Sequence, residues 1–131
     1  GLKRLGVAPG RVISSGLARA VQTAEILIDV LGVSLDIEES AALMPWADPS
    51  DGLPLFRSAE HDDVMVVGHL PHLPLLAAFL LTGNAEGVAL TLKKGAVCCL
   101  SFSSALARPR EARLEWLAQP KLLRTLAAKG T

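Results

Sequence analysis

Hydrophobic positions along the chain alternate between a strand-like and a helix-like spacing. Val12 and Ile13, inside Arg11–Ser15, form a short apolar pair that predicts a buried strand. Beyond it, Leu17, Ala20, Val21, Ala24, Leu27, Ile28 and Leu31 recur at intervals of three and four. That is the pattern of one buried helical face, with Ser15 or Gly16 placed to cap its start and Gly32 to end it. "VSLDIEE" predicts a second strand over Val33–Ile37. Pro45, Pro49, Gly52 and Pro54 break any long helix between Ala41 and Asp63, leaving room for a short one at Leu53–Ala59. Val64–Val67 is an uninterrupted apolar run, as in a strand covered on both faces, and Gly68 and His69 follow at its carboxyl end. "PHLPLLAAFLLTG" then predicts a helix with its prolines in the first turn, where a missing N–H costs little, and Gly83 as its stop.

The pattern changes after Gly83. "GVALTL" and "GAVCCLSF" flank Lys93–Lys94–Gly95 like the arms of a hairpin, and "ARLEWLA", Ala112–Ala118, is a third candidate strand. A last helix follows Pro120, with Leu122, Leu123, Leu126 and Ala127 on one face. At the other end, "GLKRLGVAPG" reads as the final turn of a helix, Leu2–Leu5, closed by Gly6. It has no initiator Met and no signal-peptide pattern. Strand–helix alternation followed by a hairpin predicts an α/β fold with a mixed sheet, and 131 residues suit a single domain, 1–131.

Composition narrows the function classes. Half the residues are apolar and the mean hydropathy is +0.40, owed to Ala, Leu and Val rather than to aromatics. No apolar run reaches the roughly 18 residues a bilayer span needs, and the stretch around Leu75–Leu81 is far too short. Thirteen basic and thirteen acidic residues cancel, so no net field favours nucleic acid or an anionic membrane. "ARPREAR", Ala107–Arg113, is the one basic cluster and reads as a solvated loop. Cys98 and Cys99 are adjacent in a strand-like run and would point to opposite faces, which disfavours a mutual disulfide. They are expected to be small buried hydrophobes in a reducing, cytoplasmic compartment, and their spacing suits no metal.

Two strand ends carry the candidate chemistry: Ser14–Ser15 leading to Arg19, and Gly68–His69 leading to Pro71. In an open α/β sheet, ligands bind beyond the carboxyl ends of the strands. Helix N-termini at that edge offer backbone N–H groups and a positive dipole end. An arginine fork and an imidazole added there would form a phosphate pocket. Taken singly, Arg19 reads as an ordinary surface residue and His69 as a structural histidine. Ser14 and Ser15 read as turn and capping residues, His72 as a solvent-facing helix residue, and His61 as a loop residue.

Taken together, the two segments are more specific. "SSGLARAVQTAEIL" resembles the "SSPLxRAxQTAEIL" motif of the histidine phosphatase superfamily, and "VMVVGHLPHLPLL" resembles that superfamily's second-histidine motif, a strand ending in "VGHxPxL". The short spacing between them, with "LTLKKGAVCCLSF" and "ARLEWLAQPKLL" after them, is similar to the SixA-like phosphohistidine phosphatases. The resemblance runs from about Leu2 to Leu126. It implies a phosphoglycerate mutase-like, three-layer fold: a mostly parallel mixed sheet with helices on both faces.

It also implies a two-step phosphoryl transfer with no metal or other cofactor. In the family, a histidine in an N-terminal "RHG" motif attacks phosphorus. A second arginine and a second histidine help surround the phosphoryl oxygens; by motif position these would be Arg19 and His69, with Ser15 beside them. The implied substrate is a phosphorylated protein or a small phosphoester. This sequence contains no "RHG" and has Gly16 where the family usually has proline. A first strand and most of a helix, on the order of 35 residues, are therefore expected to be absent, and the nucleophile with them. The chain as it stands is expected to be inactive, with a possible homodimer covering the gap. The alternatives are a non-catalytic phosphate- or phosphoprotein-binding module and a self-associating fragment.

Overall fold

The computed structural model describes residues 1–57, 63–102 and 107–128. In chain order the elements are β1 (Arg11–Ser14), α1 (Ala18–Leu31), β2 (Ile37–Glu39), two 3₁₀ helices (Ala41–Leu43 and Pro49–Phe56), β3 (Val64–Val67), α2 (His72–Thr82), β4 (Val97–Phe102), β5 (Ala112–Ala118) and α3 (Pro120–Ala128). β1 is central in a three-stranded parallel sheet of order β2-β1-β3. β4 and β5 form a separate antiparallel pair.

Two apolar clusters make the layers. Val12 points to one face of β1 and packs with Ala20 and Ala24 of α1 and with Val67. Ile13 points to the other and packs with Leu43, Leu53, Leu76 and Leu80 from the 3₁₀ helices and α2. Adjacent strand residues face opposite ways, so this short strand serves both sides of the sheet. Ile13, Leu43 and Leu80 are almost wholly buried, each contributing about 2 kcal/mol of apolar transfer. The second layer is tight: a Cβ on Gly52 would stand 2.8 Å from Leu76 Cδ1.

α1, β3, β5 and α3 form where the hydrophobic spacing predicts, and Gly32 and Gly83 end α1 and α2 in the left-handed region. Other expectations shift. The second strand is Ile37–Glu39 rather than Val33–Ile37, because β1 sets the register: Val12 pairs with Ile37 and Ser14 with Glu39. Leu35 and Ile37 still pack against the α1 cluster. The short helix expected at Leu53–Ala59 is the 3₁₀ helix Pro49–Phe56, started by Asp48, whose side chain accepts from the Ser50 N–H at 2.9 Å. The end of that expected helix, and His61, fall outside the described residues.

The expected hairpin does not form. The Lys93–Gly95 turn is present, with Ala96 N–H donating to the Lys93 carbonyl at 2.8 Å, but Val88–Leu92 is not a strand. Gln119 claims that segment's backbone: its Nε2 donates to the Thr91 carbonyl at 2.5 Å, and its Oε1 accepts from Lys93 N–H at 3.0 Å. β4 pairs with β5 instead, with an irregularity between Cys99 and Leu100. Cys98 and Cys99 are free and half-buried rather than buried, and burial raises both thiol pKa values. In the basic segment Ala107 is buried and Arg110 N–H donates to the Leu80 carbonyl at 3.0 Å, so it is more tied down than a solvated loop. No residue of α3 is buried, so its apolar face is only partly covered.

Between β3 and β4 lies a trough of about 1510 Å³, lined by both strands and by residues of α1, α2 and the first turn of the chain. No helix among the described residues is long and apolar enough to cross a membrane.

Candidate functional site

The parallel register of β1 and β3 brings the two singled-out segments to one edge. Ser14 lies opposite Val67, and the Ser15 N–H extends the ladder by donating to the Val67 carbonyl at 3.1 Å. The next residues out are Ser15 on one strand and Gly68–His69 on the other. Their side chains meet: Ser15 Oγ lies 2.5 Å from His69 Nε2, with the donor set by the imidazole tautomer. Ser15 is fully buried, so this hydroxyl is a fixed partner for the ring.

The His69 backbone is held as well. Its carbonyl accepts from Leu73 N–H at 2.9 Å, which ties the histidine to the first turn of α2. Gly68 leaves little room: a Cβ there would come within 3.2 Å of the Leu73 side chain and 3.5 Å of the Leu43 carbonyl. The ring therefore leaves the sheet from a packed base.

The capping expectation for Ser15 is corrected. The N-cap of α1 is Leu17, and no side-chain cap bond forms there. Ser15 Oγ receives only a long contact from Leu17 N–H, 3.4 Å, because it is engaged with His69. Gly16 sits against Glu39, whose carboxylate would lie 2.8 Å from a Cβ at that position. That contact is with a flexible carboxylate end, which can swing aside, so it tolerates glycine without demanding it.

Arg19 follows in the first turn of α1 and is exposed. Among the described residues its guanidinium has no hydrogen-bond or ion-pair partner, and Arg19 and His69 line the same trough. α1 and α2 both start without a side-chain cap and without an acidic residue in the first turn. This edge thus collects a cation, an imidazole and uncapped helix starts, a combination suited to a tetrahedral oxyanion. Among the described residues, no three His, Cys, Asp or Glu side chains gather as metal ligands.

His72 departs from its expected position. It is 2% exposed, turned into the protein rather than toward solvent, and neither ring nitrogen has a hydrogen-bond partner. Burial, and secondarily the neighbouring His69, hold its pKa below the ordinary histidine value, with Asp48 and Asp51 partly opposing. The sequence carried one hint of this: His72 starts an almost wholly apolar helix, three residues after His69.

No protein-family model and no curated protein matches the chain. Among solved structures, the protein histidine phosphatase SixA complexed with tungstate superposes with a TM-score of 0.76 at 25% sequence identity. The match covers 93% of this chain and 76% of that one. The fold is therefore histidine phosphatase-like.

Proposed function

We propose that this chain is the phosphate-binding body of a SixA-like phosphohistidine or phosphomonoester phosphatase. The observation that carries this is the contact between buried Ser15 and half-exposed His69 at the carboxyl edge of the sheet, with Arg19 in the adjoining first turn of α1. SixA, a structural neighbour, was captured with tungstate, an oxyanion of phosphate-like charge and shape.

In this function a histidine nitrogen attacks phosphorus and the leaving group departs with the bond electrons. Water then releases phosphate from the phosphohistidine. Arg19 and His69 neutralise charge on the phosphoryl oxygens, the main requirement of such a transition state. Ser15 orients the His69 ring. The nucleophile belongs to an Arg-His-Gly run, which these 131 residues do not contain. Binding without turnover is therefore the property expected of the chain alone. Substrates of this class are phosphorylated proteins and small phosphoesters, and two free cysteines fit a reducing cytoplasm.

The test is hydrolysis of a chromogenic phosphomonoester and of a phosphohistidine peptide, beside thermal unfolding with and without millimolar phosphate. A phosphate-dependent rise in Tm without turnover supports the proposal. No rise in Tm opposes it. Turnover lost in both Arg19→Ala and His69→Ala would keep the pocket but place the nucleophile elsewhere.

A further inference from the structure

His72 is a buried polar group for which the proposed function has no use. It opens α2 and is 2% exposed, and neither Nδ1 nor Nε2 has a hydrogen-bond partner. A neutral imidazole carries one N–H donor and one acceptor, and burying both unpaired is costly. An apolar side chain would fill the same space without that cost, so packing alone gives no account of an imidazole here.

The surroundings of the ring divide over a proton on it. Burial is the largest effect and opposes the charged form. His69, tied to this turn by the Leu73 N–H bond to its carbonyl, opposes it as well. So does the start of α2, a positive dipole end with neither a side-chain cap nor an acidic residue in its first turn. Asp48 and Asp51 favour the proton; they stand at the start of the 3₁₀ helix Pro49–Phe56, which packs along α2. Arg57 at the opposite end of that helix is exposed, as are Arg113 and Glu115 of β5, the strand that also packs on α2. Within α2 itself His72 is the one titratable residue.

A bound oxyanion changes this division. The edge that gathers Ser15, His69 and Arg19 adjoins the end of α2 where His72 sits. A dianion there offsets the charge of His69 and of the helix start, two of the three influences that keep the ring neutral. The pull of Asp48 and Asp51 is then less opposed.

We propose that His72 is a positioning residue for the anion: it takes up a proton from solvent as a tetrahedral dianion binds beside His69, and the charge so gained tightens the binding. The proposal rests on the oxyanion site put forward above and adds a proton coupling to it. Linkage is reciprocal, so whatever factor the anion adds to proton affinity the proton adds to anion affinity. Binding therefore strengthens as pH falls through the range in which His72 is protonated in the complex and neutral in the free chain.

The test uses the 131-residue chain and inorganic sulfate, which remains a dianion between about pH 5 and pH 8 and so adds no titration of its own. Histidine Cε1–H resonances are followed by NMR against pH in saturating sulfate and in chloride of equal ionic strength. The chain has three histidines, and the His72 signal is the one missing from His72→Asn. Should that variant not fold, it is the signal that survives both His61→Gln and His69→Gln. The inference predicts a His72 midpoint higher by about half a pH unit or more in sulfate, about a threefold gain in proton affinity. Sulfate binding should also tighten toward pH 5 by about twofold more in the parent than in His72→Asn. An equal midpoint in the two salts, or a ring still neutral at pH 5 in sulfate, overturns the inference and leaves the oxyanion site standing. A pH dependence of affinity unchanged in His72→Asn does the same. Sulfate that fails to bind at any pH removes the site and the coupling together.

Discussion

Ser15 Oγ and His69 Nε2 meet at 2.5 Å although the residues are 54 positions apart in sequence. Among the described residues the contact is the one side-chain hydrogen bond between the two candidate motifs, beside the packing of Ala20 and Ala24 on Val67. Ser15 is wholly buried, and beside the ring its hydroxyl receives only the long contact from Leu17 N–H.

Ser15→Ala should therefore cost about 0.5–1.5 kcal/mol of stability, the usual net worth of one hydrogen bond, since the half-exposed His69 ring can turn to water. Urea unfolding measures the cost. The ring should also lose its fixed orientation, so phosphate should raise Tm less than in the parent. An unchanged phosphate response would mean that Ser15 does not orient His69.

Arg19→Ala should behave in the opposite way. The side chain is exposed and has no partner among the described residues, so stability without ligand should change by less than about 0.5 kcal/mol. The phosphate-induced rise in Tm should disappear, and Arg19→Lys should recover part of it, since an ammonium keeps the charge but not the fork. Thermal unfolding with and without phosphate separates the two effects.

Stability should fall on mild acidification. His72 has a folded pKa held below the ordinary value of 6.5, mainly by burial, so the unfolded chain binds its proton first as pH drops. Its contribution is complete above the unfolded value and is lost as pH falls from there through the folded value. His72→Leu, which removes two unsatisfied ring nitrogens, should flatten this limb of the stability–pH curve. Urea midpoints measured from pH 8 to pH 5 test it; an equally steep limb in the variant would assign the proton uptake to another group.

Arg11 and Glu38 form a two-point ion pair, 2.7 and 3.0 Å, between β1 and β2. The arginine side chain is 28% exposed and the carboxylate 48%, so solvent screens the pair. Glu38→Gln should cost less than about 1 kcal/mol, and less again at high salt. The Arg11 hydrogen bond lowers the Glu38 pKa, so the contribution is present above the ordinary value of 4.5 and fades as pH falls below it.

Local rules made much of this fold legible. The intervals of three and four from Leu17 to Leu31 match α1 because one apolar stripe packs on the sheet, and the run at Val64–Val67 matches β3. The shift of β2 and the missing hairpin were not legible, because strand pairing depends on partners distant in sequence. "GVALTL" and "ARLEWLA" both look like strands, and only the Gln119 side chain, bound to Thr91 and Lys93, shows why the first never joins β4. At the site, Ser15 and His69 could be placed on one edge from their positions after two strands. The inward turn of His72 could not, since polarity placed it outside and packing placed it inside. Nor did the sequence show that Ser15 serves the imidazole rather than the helix start.

The pairing of Ser14 with both Glu39 and Val67 has a consequence for how accurately the site is set. Moving β1 by a single residue would displace Ser15 by about 3.3 Å and exchange the faces of Val12 and Ile13. Small drifts are therefore blocked, since each step along the ladder also turns the core inside out. The depth of the Ser15–His69 contact is thus graduated by the β-ladder rather than adjusted by loops. Substitutions in α1 or the 3₁₀ segments can reshape the rim around this edge while the contact beneath keeps its place.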